Sequence, residues 1–183
     1  MARGKTYEIR SLPDGKKATR ACRCGGGPGT GACRRGPRCA IEYQARLSGP
    51  LLDRIDIQLD VPPVTAADLS LPPPIEGTAE AANRVLHARG AQAERGAGLN
   101  SRLDLDSLEK LAAPDAPGAA LLSKAAETLA LSARAYHRTM KVARSVADLD
   151  GADAVKRIHV AEALSLRRHW AGAEQGGAIA RVS

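Results

Sequence analysis

Two proline clusters, Pro62-Pro63 and Pro72-Pro73-Pro74, lie within residues 62–74. Each proline ring fixes φ and removes a backbone donor, so neither a helix nor a central strand can run through this stretch. The chain is thereby divided. Before the clusters it is rich in Gly, Cys and Arg; after them it is rich in Ala and Leu at helical spacing. Residues 62–76 read as a linker.

Aromatic residues make up 2% of the 183 residues, with no Phe and one Trp, so any core must be built from Leu, Ile, Val and Ala. No run approaches the roughly 18 apolar residues of a membrane span, and residues 1–20 have no apolar stretch of the signal-peptide kind. Secreted, transmembrane and collagen-like readings are disfavoured, and the expected location is cytoplasmic, with thiols reduced. The formal charge of +7 is uneven. Residues 1–46 hold eleven Lys/Arg against three Asp/Glu, whereas the remaining 16 and 17 nearly cancel. A basic arm suits nucleic acid or another polyanion, or is a solvated tail; no aromatic residues are interleaved in it for base stacking.

The expected fold is mainly α with one strand. Residues 1–20 read as irregular, with a turn at Pro13-Asp14-Gly15, and residues 40–52 as a short helix. Ile55 to Val61 alternates apolar and polar residues at period two, as a strand does. Helices are expected over Thr78–Arg95, Leu103–Ala113, Ala119–Ala130 and Ala133–Leu149, the last capped by Ser132 and stopped by Gly151. A final helix is expected from an Asp153 cap to about His169, with Val155, Ile158, Ala161 and Leu164 inward. On the helix over 133–149, Tyr136, Met140, Ala143 and Ala147 form an apolar stripe, and Arg134, Arg138, Lys141, Ser145 and Asp148 a polar one.

All four cysteines fall between residues 22 and 39, as C-x-C-x8-C-x5-C. Cys22, Cys24, Cys33 and Cys39 on a Gly-rich loop suit a tetrahedral thiolate zinc site or, alternatively, reduced thiols in a loop. Gly26 to Cys33 mimics a phosphate-binding loop, but Ala32 stands where the lysine would be and Cys33 where the magnesium-binding hydroxyl would be. No second acidic magnesium-binding motif is present.

Tyr43-Gln44-Ala45-Arg46-Leu47-Ser48-Gly49-Pro50-Leu51-Leu52-Asp53-Arg54-Ile55-Asp56-Ile57 closely resembles the S-G-P-L-L-D-R-I-D segment of magnesium-chelatase-related AAA+ ATPases of the ComM (YifB) group. Leu131 to Arg138 with Val142 to Leu149 resembles that family's C-terminal lid helix, and Ile158 to Arg168 its final helix. The resemblance covers roughly residues 21–170 and implies a helical AAA+ lid (77–170) behind a remnant of the ATPase core (47–76). A Cys-rich insert (21–46), an unmatched head (1–20) and a tail (171–183) complete the layout. It also implies an arginine finger at Arg54, acting on a neighbouring subunit's ATP, and a sensor-2 arginine at Arg134. From the residues alone, Arg54 is equally a surface ion pair with Asp53 or Asp56, and Arg134 a solvated charge. Arg138 and Arg144 read as surface or interface residues, His137 and His159 as ordinary helix residues.

The family's Walker A and Walker B segments are missing, and Arg20-Ala21-Cys22 replaces the Asn-Pro-Cys that carries sensor-1. The implied partners are AAA+ subunits in a hexamer, with ATP and Mg2+ in the complete assembly, DNA indirectly, and no membrane. The chain alone is expected neither to bind nor to hydrolyse ATP. Two other readings are a basic zinc-containing nucleic-acid module, in which 119–130 and 133–149 resemble a helix-turn-helix, and a non-functional truncated product.

Overall fold

A computed structural model describes residues 10–11, 17–18, 38–39, 42, 54–59, 66–72 and 75–167. Residues 53–169 form one compact unit; residues 1–52 with 170–183 form a second. In the second unit, β1 (Arg10–Ser11) pairs antiparallel with β2 (Lys17–Ala18), with Arg10 opposite Ala18. The pair flanks the Pro13-Asp14-Gly15 turn signal, so the irregular reading of residues 1–20 missed a short ladder there. Arg38, Cys39 and Glu42 are helical. The remainder of the helix expected over 40–52 lies outside the described residues.

The unit over 53–169 is helical, as the alanine- and leucine-rich periodicity requires. α1 spans Thr78–Glu94; its first exposed amide, Gly77 N–H, is capped by Glu80 Oε2 at 3.0 Å. It buries only Ala88 and Gln92, so it rests on the rest of the unit through its C-terminal half. A single 3-10 turn follows at Asn100–Arg102. α2 (Leu105–Leu111) starts where Asp104 Oδ1 accepts the Ser107 N–H, a bond that also holds the Asp104 carboxyl below its usual range. α3 (Ala116–Thr128) starts likewise with Asp115 accepting the Gly118 N–H, and Pro117 lies in its first turn, where no donor is needed.

α4 (Ala133–Leu149) has the predicted bounds. Ser132 Oγ accepts the Ala135 N–H at 3.2 Å. At the other end Gly151 takes φ +68°. There the Ala152 N–H reaches Ala147 O at 2.8 Å and the Gly151 N–H reaches Asp148 O at 3.2 Å. That double closure satisfies the last carbonyls and needs a left-handed residue, which glycine supplies without strain. The α3–α4 turn makes the same demand of Ala130, at φ +47°.

α5 (Arg157–Ser165) begins later than predicted. Its cap is the imidazole of His159, whose Nδ1 accepts the Lys156 N–H at 2.9 Å, rather than Asp153. Val155 and Leu164 meet the core as expected, but the shifted start changes the other inward residues. His159, Val160 and Ala163 are buried, whereas Ile158 is 66% exposed and Ala161 is exposed. The delay has a tertiary cause. Pro114 and Val155 form a parallel bridge, and the Asp115 N–H donates to Val155 O at 2.8 Å, so residue 155 is held out of the helix.

The core joins Leu103, Leu108, Ala112 and Leu122 to Met140, Val142, Ala143 and Ala147 of α4 and to Val155, Val160 and Ala163. α4 is the central element, packed on α1, α2 and α5, while α3 packs chiefly on α5. α4 buries eight of its residues.

The expected strand Ile55–Val61 is, in its described part, a single parallel bridge from Gln58 to Arg167, with the Gln58 N–H donating to Leu166 O at 2.7 Å. A strand needs neighbours along its length, and among the described residues this segment makes that one bridge. Residues 60–61 lie outside the described residues.

Candidate functional site

The site is built on the N-terminal half of α4 and on the segment 54–59. Arg134 lies in the first turn of α4, exposed, and makes no ion pair with any described residue. One turn further, Arg138 faces the segment 54–59. Its guanidinium holds the Asp56 carboxylate with both arms, Nε to Oδ1 and Nη2 to Oδ2, the second at 2.9 Å. The hydrogen bond to Asp56 keeps Arg138 above its already high ordinary pKa, against a smaller opposing effect of burial. A planar fork on a carboxylate is the geometry arginine provides and lysine does not.

Arg54, two residues before Asp56, is exposed. The Asp56 carboxylate is held by Arg138, and Asp53, the other partner offered for Arg54, lies outside the described residues. Arg138, read from sequence as a surface or interface residue, is instead an internal tie between residues 82 apart in the chain. Beside the tie lies a cavity of about 270 Å³, lined by Asp56, Ile57, Ser101, Lys141 and Val142 among others. Lys141 closes one side of it by donating to Leu103 O at 2.6 Å.

The second half of the same polar stripe is structural. Asp148 is fully buried and accepts four hydrogen bonds. They come from Arg95 Nη1 at 2.8 Å, Arg95 Nη2 at 2.7 Å, Asn100 Nδ2 at 2.7 Å and Arg144 Nε at 3.0 Å. Burial alone would raise its pKa; the hydrogen bonds from Arg95 and Asn100 and the charge of Arg144 outweigh it and hold the carboxyl below its usual range. Arg144, at 2% exposure, also donates to Ala152 O at 2.5 Å and Asp153 O at 2.7 Å. The surface reading of Arg144 is therefore corrected. It fastens the loop between α4 and α5 to the core, and the loop's carbonyls satisfy the donors a buried guanidinium cannot leave unmade. The polar stripe read from 134 to 148 thus divides, with a solvent-facing cation at its start, a tie to 54–59 next, and a buried hub at its end.

His159 is more than an ordinary helix residue. It is 2% exposed, and because Nδ1 accepts the Lys156 N–H, Nε2 carries the proton and donates to Asp150 Oδ2 at 3.2 Å. His137 stacks edge-on against Tyr136, with centroids 5.8 Å apart.

Of the proposed zinc ligands, Cys39 is buried, and Cys22, Cys24 and Cys33 lie outside the described residues. Among the described residues no group of three or more His, Cys, Asp or Glu side chains could hold a metal ion. No helix among the described residues is long and apolar enough to cross a membrane.

Comparison with known proteins agrees with this architecture. Residues 75–167, the helical unit from just before α1 to the end of α5, match the family described as magnesium chelatase, subunit ChlI C-terminal. Residues 16–69 match the family described as magnesium chelatase, subunit ChlI. The chain is 38% identical over 135 residues to the competence protein ComM of Haemophilus influenzae, covering 73% of this chain and 26% of that protein. It is 38% identical over 132 residues to the Escherichia coli protein YifB, covering 72% of this chain and 26% of YifB. The chain thus spans about a quarter of the length of these relatives. Through the domain built on α1 to α5, it belongs to the magnesium chelatase ChlI family.

Proposed function

We propose that this chain supplies two cations to AAA+ nucleotide sites of the magnesium chelatase type, a trans-acting arginine finger and the sensor-2 arginine of its helical lid. Arg54 is the finger. Its permanently charged fork stabilises charge developing on the γ-phosphate of the partner's ATP, where a preorganised cation acts most strongly. Arg134 is the sensor-2 group, which meets the phosphates as the lid closes. The segment that mimics a phosphate-binding loop has Ala32 in place of the lysine, so no chemical step is assigned to this sequence alone. Its place is in a ring of AAA+ subunits, a hexamer by family resemblance, that works on DNA indirectly. Cys22, Cys24, Cys33 and Cys39 hold a structural zinc ion.

The observation that supports this reading is the seating of 54–59 on α4 through Asp56 and Arg138. It leaves Arg54 and Arg134 exposed on neighbouring parts of one unit. The experiment mixes the chain with a relative that has its own Walker motifs but lacks its own finger arginine, and measures phosphate release. The chain alone should release none, and the mixture should regain activity. Arg54→Ala should lose that gain by about 10³-fold or more, the range of arginine fingers in phosphoryl transfer. Phosphate release by the chain alone, or an Arg54→Ala chain equal to wild type, would refute the assignment.

A further inference from the structure

We infer that the Asp56–Arg138 pair is a clamp that makes Arg54 and Arg134 parts of one rigid body, so that the lid cannot move without moving the finger. Three observations carry this. Asp56 lies two residues after Arg54, and Arg138 lies one helical turn, roughly 6 Å along the axis, beyond Arg134. The pair is bidentate, which fixes direction as well as distance. Gln58 supplies a second attachment point, its N–H donating to Leu166 O at 2.7 Å just past α5. Two anchors two residues apart, one on α4 and one beyond α5, fix residues 56–58, and Arg54 lies two residues before the first of them.

The side chains of Arg138 and Asp56 are 31% and 41% exposed. A single point charge pair at that exposure would hold little. What makes the pair a clamp is the planar fork together with the backbone bond at Gln58. The remaining cation beside the cavity, Lys141, is committed to the carbonyls of Ser101 and Leu103 and does not compete for Asp56.

The functional consequence rests on the finger and sensor-2 assignments above. If Arg134 reads one nucleotide and Arg54 another, a rotation of the helical unit toward the first displaces the cation acting on the second. Adjacent sites in a ring would then be coupled mechanically through Asp56 and Arg138. Both are positioning residues, since neither need touch a nucleotide.

The test uses the full chain as wild type, Asp56→Asn, Arg138→Lys and the charge-swapped Asp56→Arg/Arg138→Asp double variant. Hydrogen exchange is followed by mass spectrometry. Asp56→Asn and Arg138→Lys should each speed exchange of the amides at 55–59 by about tenfold or more, with α4 unchanged, and the swap should restore part of the protection. Arg138→Lys is the informative variant, because it keeps the charge and removes the fork. Unchanged exchange at 55–59 in both single variants would overturn the clamp, whatever the ATPase results. In the mixed phosphate-release assay, Asp56→Asn should lower kcat with KM unchanged. Activity lost in Arg54→Ala but retained in Asp56→Asn would overturn the positioning role. An inert Arg54→Ala would instead refute the finger assignment, leaving the clamp to be decided by the exchange result alone.

Discussion

Replacing Asp148 by Asn tests how much of this alanine-rich unit is held by a polar hub. The change keeps the shape and removes the charge. One carboxylate oxygen becomes an amide donor facing Arg95, Asn100 or Arg144, all of which are donors themselves. Arg144, with its side chain 2% exposed, is left as a buried cation with carbonyl partners only. Breaking a buried pair in this way costs about 3–5 kcal/mol. The lower end applies here, because the Arg95 side chain is 23% exposed and can turn toward water. A loss of about 3 kcal/mol is a large part of a typical stability of roughly 5–15 kcal/mol. In a unit between the 60–100 and 150–250 residue classes, at about 4 °C per kcal/mol, it lowers Tm by roughly 12 °C. The assay is urea unfolding followed by far-UV circular dichroism, at pH 7 and at a series of acid values. Asp148 is held ionised below its ordinary value of 3.8 in the folded protein, so the unfolded chain takes up its proton first. The stabilisation is complete above that value and is lost as pH falls through the folded-state pKa. The gap between wild type and variant should therefore be widest at neutral pH and narrow in acid. Adding Arg144→Met to the variant removes the stranded cation and should recover part of the loss, a coupling of about 1 kcal/mol or more. A neutral-pH loss below about 1 kcal/mol, or a gap that does not change with pH, would refute the hub.

Ala130→Gly should stabilise by about 0.5–1 kcal/mol, since relief of the left-handed strain exceeds the extra entropy of the unfolded chain; equal urea midpoints would count against it. Gly118→Ala should destabilise by about 1–3 kcal/mol despite alanine's helix preference, because a Cβ there would lie 2.7 Å from Asp115 Oδ1 and 3.0 Å from Pro114 Cβ. Thermal melts would show the opposite sign if α3 can shift. His159→Ala should cost about 1 kcal/mol and raise exchange at the Lys156 amide, just before α5, because that N–H loses its acceptor. Metal analysis of the purified chain should find about one zinc per chain, lowered by Cys39→Ser; metal-free protein under reducing, chelator-free conditions would remove zinc from the proposal.

The helices were legible where local chemistry decides them. Ser132 and Gly151 mark both ends of α4 because a hydroxyl cap and a left-handed closure act within one turn. α5 was misplaced because its start depends on Pro114 meeting Val155, contacts 41 residues apart that no local pattern announces. Arg144 and Asp148 shared a polar stripe with Arg134, and periodicity cannot tell a cation that ends in solvent from one that ends on carbonyls of the next loop. The Asp56–Arg138 tie was hidden for the same reason, although both residues stood in segments already singled out. The strand reading of Ile55–Val61 followed a sound alternation, but among the described residues only Gln58 finds a bridging neighbour. The family resemblance drew attention to Arg54 and Arg134; spacing alone left each indistinguishable from a solvated charge.

The core also sets which changes this unit can absorb. Ala112, Ala135, Ala143, Ala147 and Ala163 are all at 1% exposure or less, so five of its closest contacts are made by single methyl groups. Little is left to remove at such positions, and nowhere is there room to add. A substitution scan should therefore show a reversed profile. Truncation to Gly costs about 1 kcal/mol, while any larger apolar residue wedges helices apart and costs more. The sequences that can share this fold are limited less by the need for hydrophobicity than by an upper bound on side-chain volume along α4.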